Sequence, residues 1–161
     1  MLIKWSPLAN QKDMALLNYT TKIDPDKTAS EISKCLSLHG ASAVMTEYDP
    51  VEGQVTALSF KVKMGDREIA FRLPSDWKPV LKVLEQQWLQ RKIGGPRPDK
   101  FQAVRVSWRI IKDWVEAQMA LVETQMVTTA QVFLPYAVMR DGKTLSETVA
   151  ANPQMLLGDG K

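Results

Sequence analysis

KFQAVRVSWRIIKDWVEAQMALVETQM, residues 100–126, is the stretch around which the rest of the chain is organised. It contains neither proline nor glycine, and its apolar residues recur at steps of three and four. The recurring positions are Val104, Trp108, Ile111, Val115, Met119, Val122 and Met126. A helix this long spans about 40 Å at 1.5 Å per residue. The sequence therefore predicts that it is the spine of a small domain.

The charges on this predicted helix run against its dipole. The first half carries the basic residues Lys100, Arg105, Arg109 and Lys112, and the second half carries Glu116 and Glu123. A helix dipole favours acidic residues near the N-terminus and basic residues near the C-terminus. Basic side chains near the positive end of a helix are suited to holding an anion. The reversed charges are the first indication of an anion-binding function.

Composition narrows the class of protein. The chain has 161 residues, of which 45% are hydrophobic and 24% are charged, as in a single soluble globular domain. The lone Cys35 cannot form an internal disulfide, so we expect a reducing, cytoplasmic setting. No apolar run approaches the roughly 18 residues of a membrane span, which predicts no membrane partner. Residues 61–112 hold 13 Lys/Arg against 5 Asp/Glu, a local excess of +8 that favours an anionic partner.

Patterning outside the long helix predicts an α+β fold with a four-stranded, largely antiparallel sheet in the order β-α-β-β-β. The predicted strands are 17–23, 42–48, 54–64 and 67–73. A capping box of Thr28 and Glu31 predicts a helix that ends at Gly40. Helices 77–91 and 100–126 are expected to cover one sheet face, with short helices at the C-terminus. The expected organisation is an N-terminal arm at 1–16, one domain at 17–152 and a flexible tail at 153–161.

Gly65-Asp66 predicts the register of one hairpin. A two-residue turn there pairs residue 62 with 69, 60 with 71 and 58 with 73. The resulting cross-strand pairs Val62–Ile69, Phe60–Phe71 and Leu58–Leu73 are all apolar and share one face. The opposite face carries Lys61, Lys63 and Arg72. Turn chemistry and side-chain alternation thus agree on the same register.

Three basic features make up the predicted ligand site. Arg105 and Arg109 lie at i and i+4 on one helix face and could clamp a phosphate, with Lys112 continuing the edge. The other two features are the loop at 91–100, which contains Arg97, and the polar sheet face with Lys61 and Arg72. A simpler explanation is that Arg109 pairs with Asp113 and Lys112 with Glu116 as ordinary helix ion pairs. Arg105 has no such acidic neighbour.

Aromatic residues near these cations could stack on a base. Trp77, at the start of a predicted helix, is the better candidate for an exposed ring. Trp108 and Trp114 fall on the wide apolar face of the long helix and are predicted to be core residues. Phe101 and Trp88 are further aromatic residues in the same region of the sequence.

Catalytic and metal chemistry find little support in the sequence. One histidine and one cysteine exclude the usual zinc arrangements. Glu47, Asp49 and Glu52 surround a predicted turn and are interpreted as solvated loop charges rather than as a Mg²⁺ site. No G-x-S-x-G nucleophile motif is present. We therefore predict a non-enzymatic protein with no catalytic residues, no metal and no cofactor.

Several short stretches resemble small proteins encoded by tailed phages and prophages. These stretches are NYTTKID at 18–24, KTASEI at 27–32, FRLP at 71–74 and SWRIIKDW at 107–114. The paired arginines on a long helix are similar to those of the Thoeris anti-defence sponge family. That resemblance implies a non-enzymatic oligomer in a bacterial host that traps cyclic ADP-ribose-type or cyclic oligonucleotide signals. Arg105 and Arg109 would then hold phosphates, and Phe71 or Trp77 would stack a base.

The leading functional hypothesis is a phage-type, non-catalytic binder, or sponge, of a phosphorylated or cyclic nucleotide. The alternative is a phage protein that binds single-stranded DNA or RNA through the same basic surface. A third possibility is a structural or assembly protein. The apolar surface of the long helix exceeds what one sheet face needs, and together with VFLPYAV at 132–138 it predicts a homo-oligomer interface.

Overall fold

The computed structural model describes residues 14–158, and within them the chain is an α+β domain. A three-stranded antiparallel sheet has the strand order β1-β2-β3. The strands are β1 (Ala41–Tyr48), β2 (Val55–Met64) and β3 (Arg67–Arg72). The helices are α1 (Pro25–Leu38), α2 (Lys78–Leu89), α3 (Lys100–Glu123), α4 (Thr129–Phe133) and α5 (Leu145–Ala151). The predicted α+β class is confirmed.

The predicted fourth strand at 17–23 is wrong. Residues 17–20 form a turn in which Asn18 adopts φ 62°. The Tyr19 N–H donates to the Leu16 carbonyl and the Thr21 N–H to the Asn18 carbonyl. The Gln102 side chain donates to the carbonyls of Tyr19 and Thr21. A side chain of α3 thus satisfies backbone groups that the prediction had assigned to a neighbouring strand.

The hairpin register is confirmed. Phe60 pairs with Phe71 and Val62 with Ile69, as the Gly65-Asp66 turn predicts. The Phe60 and Phe71 rings are stacked, with centroids 5.2 Å apart. Gly65 has φ 64°, which a glycine adopts without steric cost. Local turn chemistry and side-chain alternation were sufficient here because both act within a few residues of the turn.

Helix α1 begins three residues before the predicted capping box. Asp24 is its N-cap and accepts a hydrogen bond from the Asp26 N–H, while Pro25 occupies the first turn. Thr28 is buried, and its hydroxyl donates to the Asp24 carbonyl instead of capping the helix. At the other end, Gly40 follows the helix with φ 96°, as predicted for a C-terminal glycine.

Helix α3 is buried on two sides, against two separate groups of apolar residues. Trp108, Val115 and Met119 pack with α1 and with the inner face of the sheet. Ala103 and Val106 pack with Leu84 of α2 and with Ile93. The sheet is therefore covered by α1 and α3, whereas the prediction had assigned α2 to that layer. Helix α2 instead packs against the opposite side of α3.

The segment after α3 folds back into the core. Phe133 is fully buried and meets Phe60 edge-on at 5.2 Å and Trp114 at 5.4 Å between ring centroids. Ala137 forms an isolated bridge with Phe71 beside β3. The apolar segment that had predicted a homo-oligomer interface thus packs largely within one chain. Leu134 on this segment remains exposed.

The two ends of the chain are described only in part. Residues 1–13, which make up most of the predicted arm, and 159–161 of the predicted tail lie outside the described residues. Of the arm, Leu16 is anchored to α2, because its N–H donates to Gln87. Of the tail, Pro153–Met155 forms a short 3-10 helix. Within residues 14–158, no helix combines the length and the apolar character that crossing a membrane requires.

Phe133→Ala should lower the free energy of unfolding by about 3–5 kcal/mol, because it removes a fully buried ring from an aromatic cluster. Chemical denaturation monitored by circular dichroism measures this change. Phe101→Ala is the matched control, since the Phe101 side chain is 49% exposed, and it should cost less than about 1 kcal/mol. Equal losses in the two variants would show that the C-terminal segment adds little to the core.

Candidate functional site

Arg105 is held in a defined orientation by Gln102, one turn earlier on α3. The Arg105 Nε and Nη2 groups donate to Gln102 Oε1 at 3.0 and 2.6 Å. Gln102 is itself fixed, because its Nε2 donates to the carbonyls of Tyr19 at 2.8 Å and Thr21 at 3.0 Å. The turn at 17–20 thus positions the guanidinium through one intervening amide side chain.

The Arg105 guanidinium keeps unused hydrogen-bond donors. A guanidinium has five N–H groups, and the bonds to Gln102 engage two of them. No carboxylate of residues 14–158 lies within 4.0 Å of Arg105. The sequence had indicated only that Arg105 lacks an acidic neighbour one turn away on the helix; in the structure its local partner is the neutral amide of Gln102.

Arg105 lines a cavity with a volume of about 590 Å³. We call it the basic cavity. Its charged lining residues are Lys22, Arg97, Asp99 and Arg105. Its other lining residues are Tyr19, Thr20, Leu84, Ile93, Gly94, Gly95, Pro96, Pro98 and Gln102. Three cations against one carboxylate give the cavity a positive balance beside a largely apolar wall.

Sequence reasoning missed Tyr19 and Lys22. Both residues lie in the segment 17–23, which was predicted to be a strand because polar and apolar side chains alternate there. Neither residue was therefore expected to line a ligand site. Asn18 was the signal that could have corrected this, because asparagine tolerates the left-handed conformation that a turn requires. Lys22 also lines a smaller neighbouring cavity of about 140 Å³ together with Arg105, Asp24 and Asp26.

The loop at 91–99 forms one wall of the basic cavity and is fastened to α2. Ile93 is buried in the core that α2 shares with α3. The Trp88 indole N–H donates to the Gly95 carbonyl at 3.1 Å. Arg97 reaches back to Glu85 at 3.3 Å, with its side chain 67% exposed. The loop therefore brings Arg97 to the same cavity as Arg105.

Arg109 and Lys112 are engaged elsewhere. Arg109 Nη1 lies 2.6 Å from Glu31 Oε2 of α1, which makes an ion pair between α3 and α1. Lys112 pairs with Glu116 at 2.7 Å, as the simpler interpretation of the sequence proposed. Asp113, the partner suggested for Arg109, instead accepts from the Asn18 side chain. The predicted two-arginine clamp is therefore not formed.

Lys61 and Arg72 lie on the other side of the sheet from α3. They belong to the outer face, opposite the buried Leu58, Phe60 and Phe71. Lys61 is exposed, and Arg72 Nη2 donates to the Gly142 carbonyl at 3.0 Å. The predicted convergence of these two cations with the basic residues of α3 is wrong because the sheet separates them.

The two predicted stacking residues are not in the basic cavity. Phe71 is fully buried in the main core, so its assignment as a base-stacking residue is wrong. The same register that predicted Phe71 to face Phe60 places it inside. Trp77 is half-buried and lines a different cavity, where the Lys100 ammonium lies 5.4 Å from its ring centroid. Tyr19 is the aromatic residue that lines the basic cavity.

The chemistry available at the basic cavity is that of anion binding. Three basic side chains supply positive charge, and Tyr19 and Arg105 supply hydrogen-bond donors.

Elsewhere, burial raises the pKa of the Cys35 thiol, and the neighbouring Glu116 raises it further. Cys35 is therefore neutral near pH 7 and a weak nucleophile. Within residues 14–158, no group of three or more His, Cys, Asp or Glu residues could hold a metal ion.

Comparison with protein-family models, with curated proteins and with solved structures gave no match to this chain.

Arg109→Ala should lower the free energy of unfolding by about 1–2 kcal/mol, because it leaves Glu31 without its partner between two packed helices. Thermal or urea denaturation measures the change. Arg97→Ala is the control, since its ion pair is more exposed, with side chains 67% and 37% accessible against 15% and 35% for the Arg109 pair. It should change stability by less than about 0.5 kcal/mol. A stability change as small for Arg109→Ala as for Arg97→Ala would contradict a structural role for Arg109.

Proposed function

We propose that this protein is a non-catalytic binder of a small phosphorylated nucleotide, which it holds in the basic cavity. The observation that carries the proposal is the orientation of Arg105. Its guanidinium is fixed by Gln102, lacks a carboxylate partner among the described residues and lines the same cavity as Lys22 and Arg97. An arginine prepared in this way can hold a phosphate with two parallel hydrogen bonds.

The phosphate end of the ligand lies at Arg105 and Lys22. These two residues line both the basic cavity and the smaller cavity beside it. A phosphate on the basic-cavity side of these two residues receives charge-assisted hydrogen bonds from both side chains. Asp24 and Asp26 line the smaller cavity and not the basic cavity, so the phosphate lies away from their negative charge. Arg97 adds a third positive charge near the rim, although its ion pair with Glu85 leaves it less available. The ligand therefore carries at least one phosphate and gains most of its charge complementarity from Arg105.

The base lies against the apolar wall of the cavity. Leu84 and Ile93 are buried residues that reach this wall, and Pro96 and Pro98 extend it. Tyr19 offers a ring on which a base can stack. A volume of about 590 Å³ is within the range of pockets that hold small-molecule ligands. A purely inorganic anion would leave most of this apolar surface uncovered.

The biological part of the proposal is a phage-type sponge that removes a nucleotide signal of host defence. It rests on the resemblance to Thoeris anti-defence proteins, which hold their ligands between subunits. The basic cavity, in contrast, is built from residues of one chain. We therefore propose one ligand for each subunit, whether or not the protein assembles into the homo-oligomer that the sequence predicts.

A second candidate function is binding of single-stranded nucleic acid on the outer face of the sheet. The observation that favours it is the exposure of Lys61 and Lys63, which both lie on the outer face of β2. A strand of nucleic acid following these cations would contact phosphates without entering the basic cavity. The two candidates therefore depend on different residues.

Arg105→Ala should weaken nucleotide binding by about 10–100-fold, as expected for the loss of charge-assisted hydrogen bonds. The measurement is isothermal titration calorimetry with ADP and with cyclic AMP, after native mass spectrometry of the protein purified from cells has identified any retained nucleotide. Lys61→Ala removes the same charge from the outer face and should leave these affinities unchanged. Equal losses in both variants would indicate non-specific charge attraction and contradict the cavity assignment.

A 12-mer of deoxythymidine separates the two functions. If the second candidate is correct, its binding should weaken steeply with salt, with a slope of about 0.7 per phosphate neutralised, and Lys61→Ala with Lys63→Ala should reduce that slope. Arg105→Ala should not affect it. Failure of both ADP and the 12-mer to bind would favour the structural or assembly role.

A further inference from the structure

A second cavity lies on the other side of the α3 N-terminus and has the opposite charge. It has a volume of about 320 Å³ and lies between the β1–β2 turn, the segment after β3 and the first turns of α3. We call it the acidic cavity. Its charged lining residues are Asp49, Glu52, Asp76 and Lys100. Three carboxylates against one ammonium make it attractive to cations, unlike the basic cavity.

The acidic cavity contains a hydrogen-bond donor that lacks a partner among the described residues. Trp108 is only 1% exposed and lines this cavity. Its single polar group, the indole N–H, makes no hydrogen bond within residues 14–158, whereas the Trp88 indole N–H donates to a carbonyl. No fully buried side-chain nitrogen or oxygen in that range lacks a partner. The Trp108 N–H is therefore not fully buried. Because Trp108 lines the acidic cavity, we infer that the small exposed part of its side chain, including the N–H, faces that cavity.

The chain itself shows how this cavity accommodates an ammonium group. The Lys100 ammonium lies 2.7 Å from Glu52 Oε2 and 5.4 Å from the Trp77 ring centroid. A carboxylate on one side and an indole face on the other is a favourable arrangement for a cation. Both side chains of the ion pair are more than a third exposed, so an incoming amine can exchange with Lys100 at modest cost.

The remaining carboxylates are available to such a ligand. Neither Asp49 nor Asp76 has a lysine or arginine within 4.0 Å among the described residues. The backbone N–H groups of Glu52 and Val51 donate to Asp49 and lower the pKa of its carboxyl group. Asp49 therefore remains ionised at neutral pH and into mildly acidic solution.

We propose that the acidic cavity binds a small organic ligand that carries both a protonated amine and a hydrogen-bond acceptor oxygen. The amine lies with the carboxylates and Trp77, where it replaces Lys100, and the oxygen accepts from the Trp108 indole N–H. Such a ligand complements the excess negative charge of the acidic cavity and accepts a hydrogen bond from the Trp108 N–H, which has no protein partner among the described residues. This site is independent of the proposed nucleotide site.

The test is an NMR titration of ¹⁵N-labelled protein, followed at the tryptophan indole N–H signals, with argininamide as the probe. Argininamide combines amine and guanidinium cations with a carbonyl oxygen, tetramethylammonium is a cation without an acceptor, and acetate is an acceptor without a cation. Argininamide should shift the Trp108 N–H signal and bind several-fold more tightly than tetramethylammonium. Acetate should shift it least. A Trp108 signal unmoved by argininamide, or a larger response to acetate, would overturn the proposal.

Two substitutions in the acidic cavity are expected to change the affinity for argininamide in opposite directions. Lys100→Met removes the competing ammonium and should tighten argininamide binding several-fold, whereas Glu52→Gln should weaken it several-fold. Glu68→Gln, a charge change of the same kind on the distant hairpin, is the control and should have no effect. Weaker argininamide binding by Lys100→Met would show that Lys100 itself holds the ligand and would contradict the proposal.

Trp108→Phe assigns the N–H signal and removes the donor. It should weaken argininamide binding by about 2–10-fold, the usual worth of one hydrogen bond, while leaving tetramethylammonium binding unchanged. Because Trp108 is a core residue, folding of this variant is checked by circular dichroism. If it does not fold, the Lys100→Met and Glu52→Gln pair decides the question without it.

Discussion

Burial of α3 on two opposite sides is the constraint on which the rest of the structure depends. Trp108, Val115 and Met119 meet the sheet and α1, while Ala103 and Val106 meet α2. Burying a large apolar side chain contributes about 1.5–3 kcal/mol, so both interfaces are substantial. A helix buried on two sides has little freedom to rotate, and its polar residues therefore point in fixed directions.

Those fixed directions explain why the two cavities flank the start of α3. Lys100 points toward the β1–β2 turn, and Gln102 and Arg105 point toward the turn at 17–20 and the 91–99 loop. The reversed charge pattern noted in the sequence is thus divided among different neighbours. Lys100 pairs with Glu52 of the β1–β2 turn, Arg109 pairs with Glu31 of α1, and Lys112 pairs with Glu116 on α3 itself. Arg105 has no carboxylate partner among the described residues and lines the basic cavity.

The parts of the fold that the sequence predicted correctly are those governed by local interactions. The Gly65-Asp66 hairpin and the helical periodicity that begins at Lys100 both depend on residues close together in the chain. The strand predicted at 17–23 failed because its alternation was short and a distant amide, Gln102, supplied the hydrogen bonds. Layer order failed for a similar reason, since the apolar stripes of α1 and α2 do not specify which helix meets the sheet.

For the site, the sequence by itself determined that basic residues concentrate at 61–112 and that Arg105 lacks a local acidic partner. It also determined that Phe71 shares a face with Phe60, but only the structure showed that this face is fully buried at Phe71, which rules out the predicted base-stacking role. Only the tertiary structure decided which cations share a cavity. Glu31 is 78 residues from Arg109 in sequence and Lys22 is 83 residues from Arg105, so ion pairing and cavity formation at these positions depend on how α1, α3 and the turn at 17–20 pack together. Such long-range pairing leaves no periodic signal in the chain, because it is set by packing rather than by spacing.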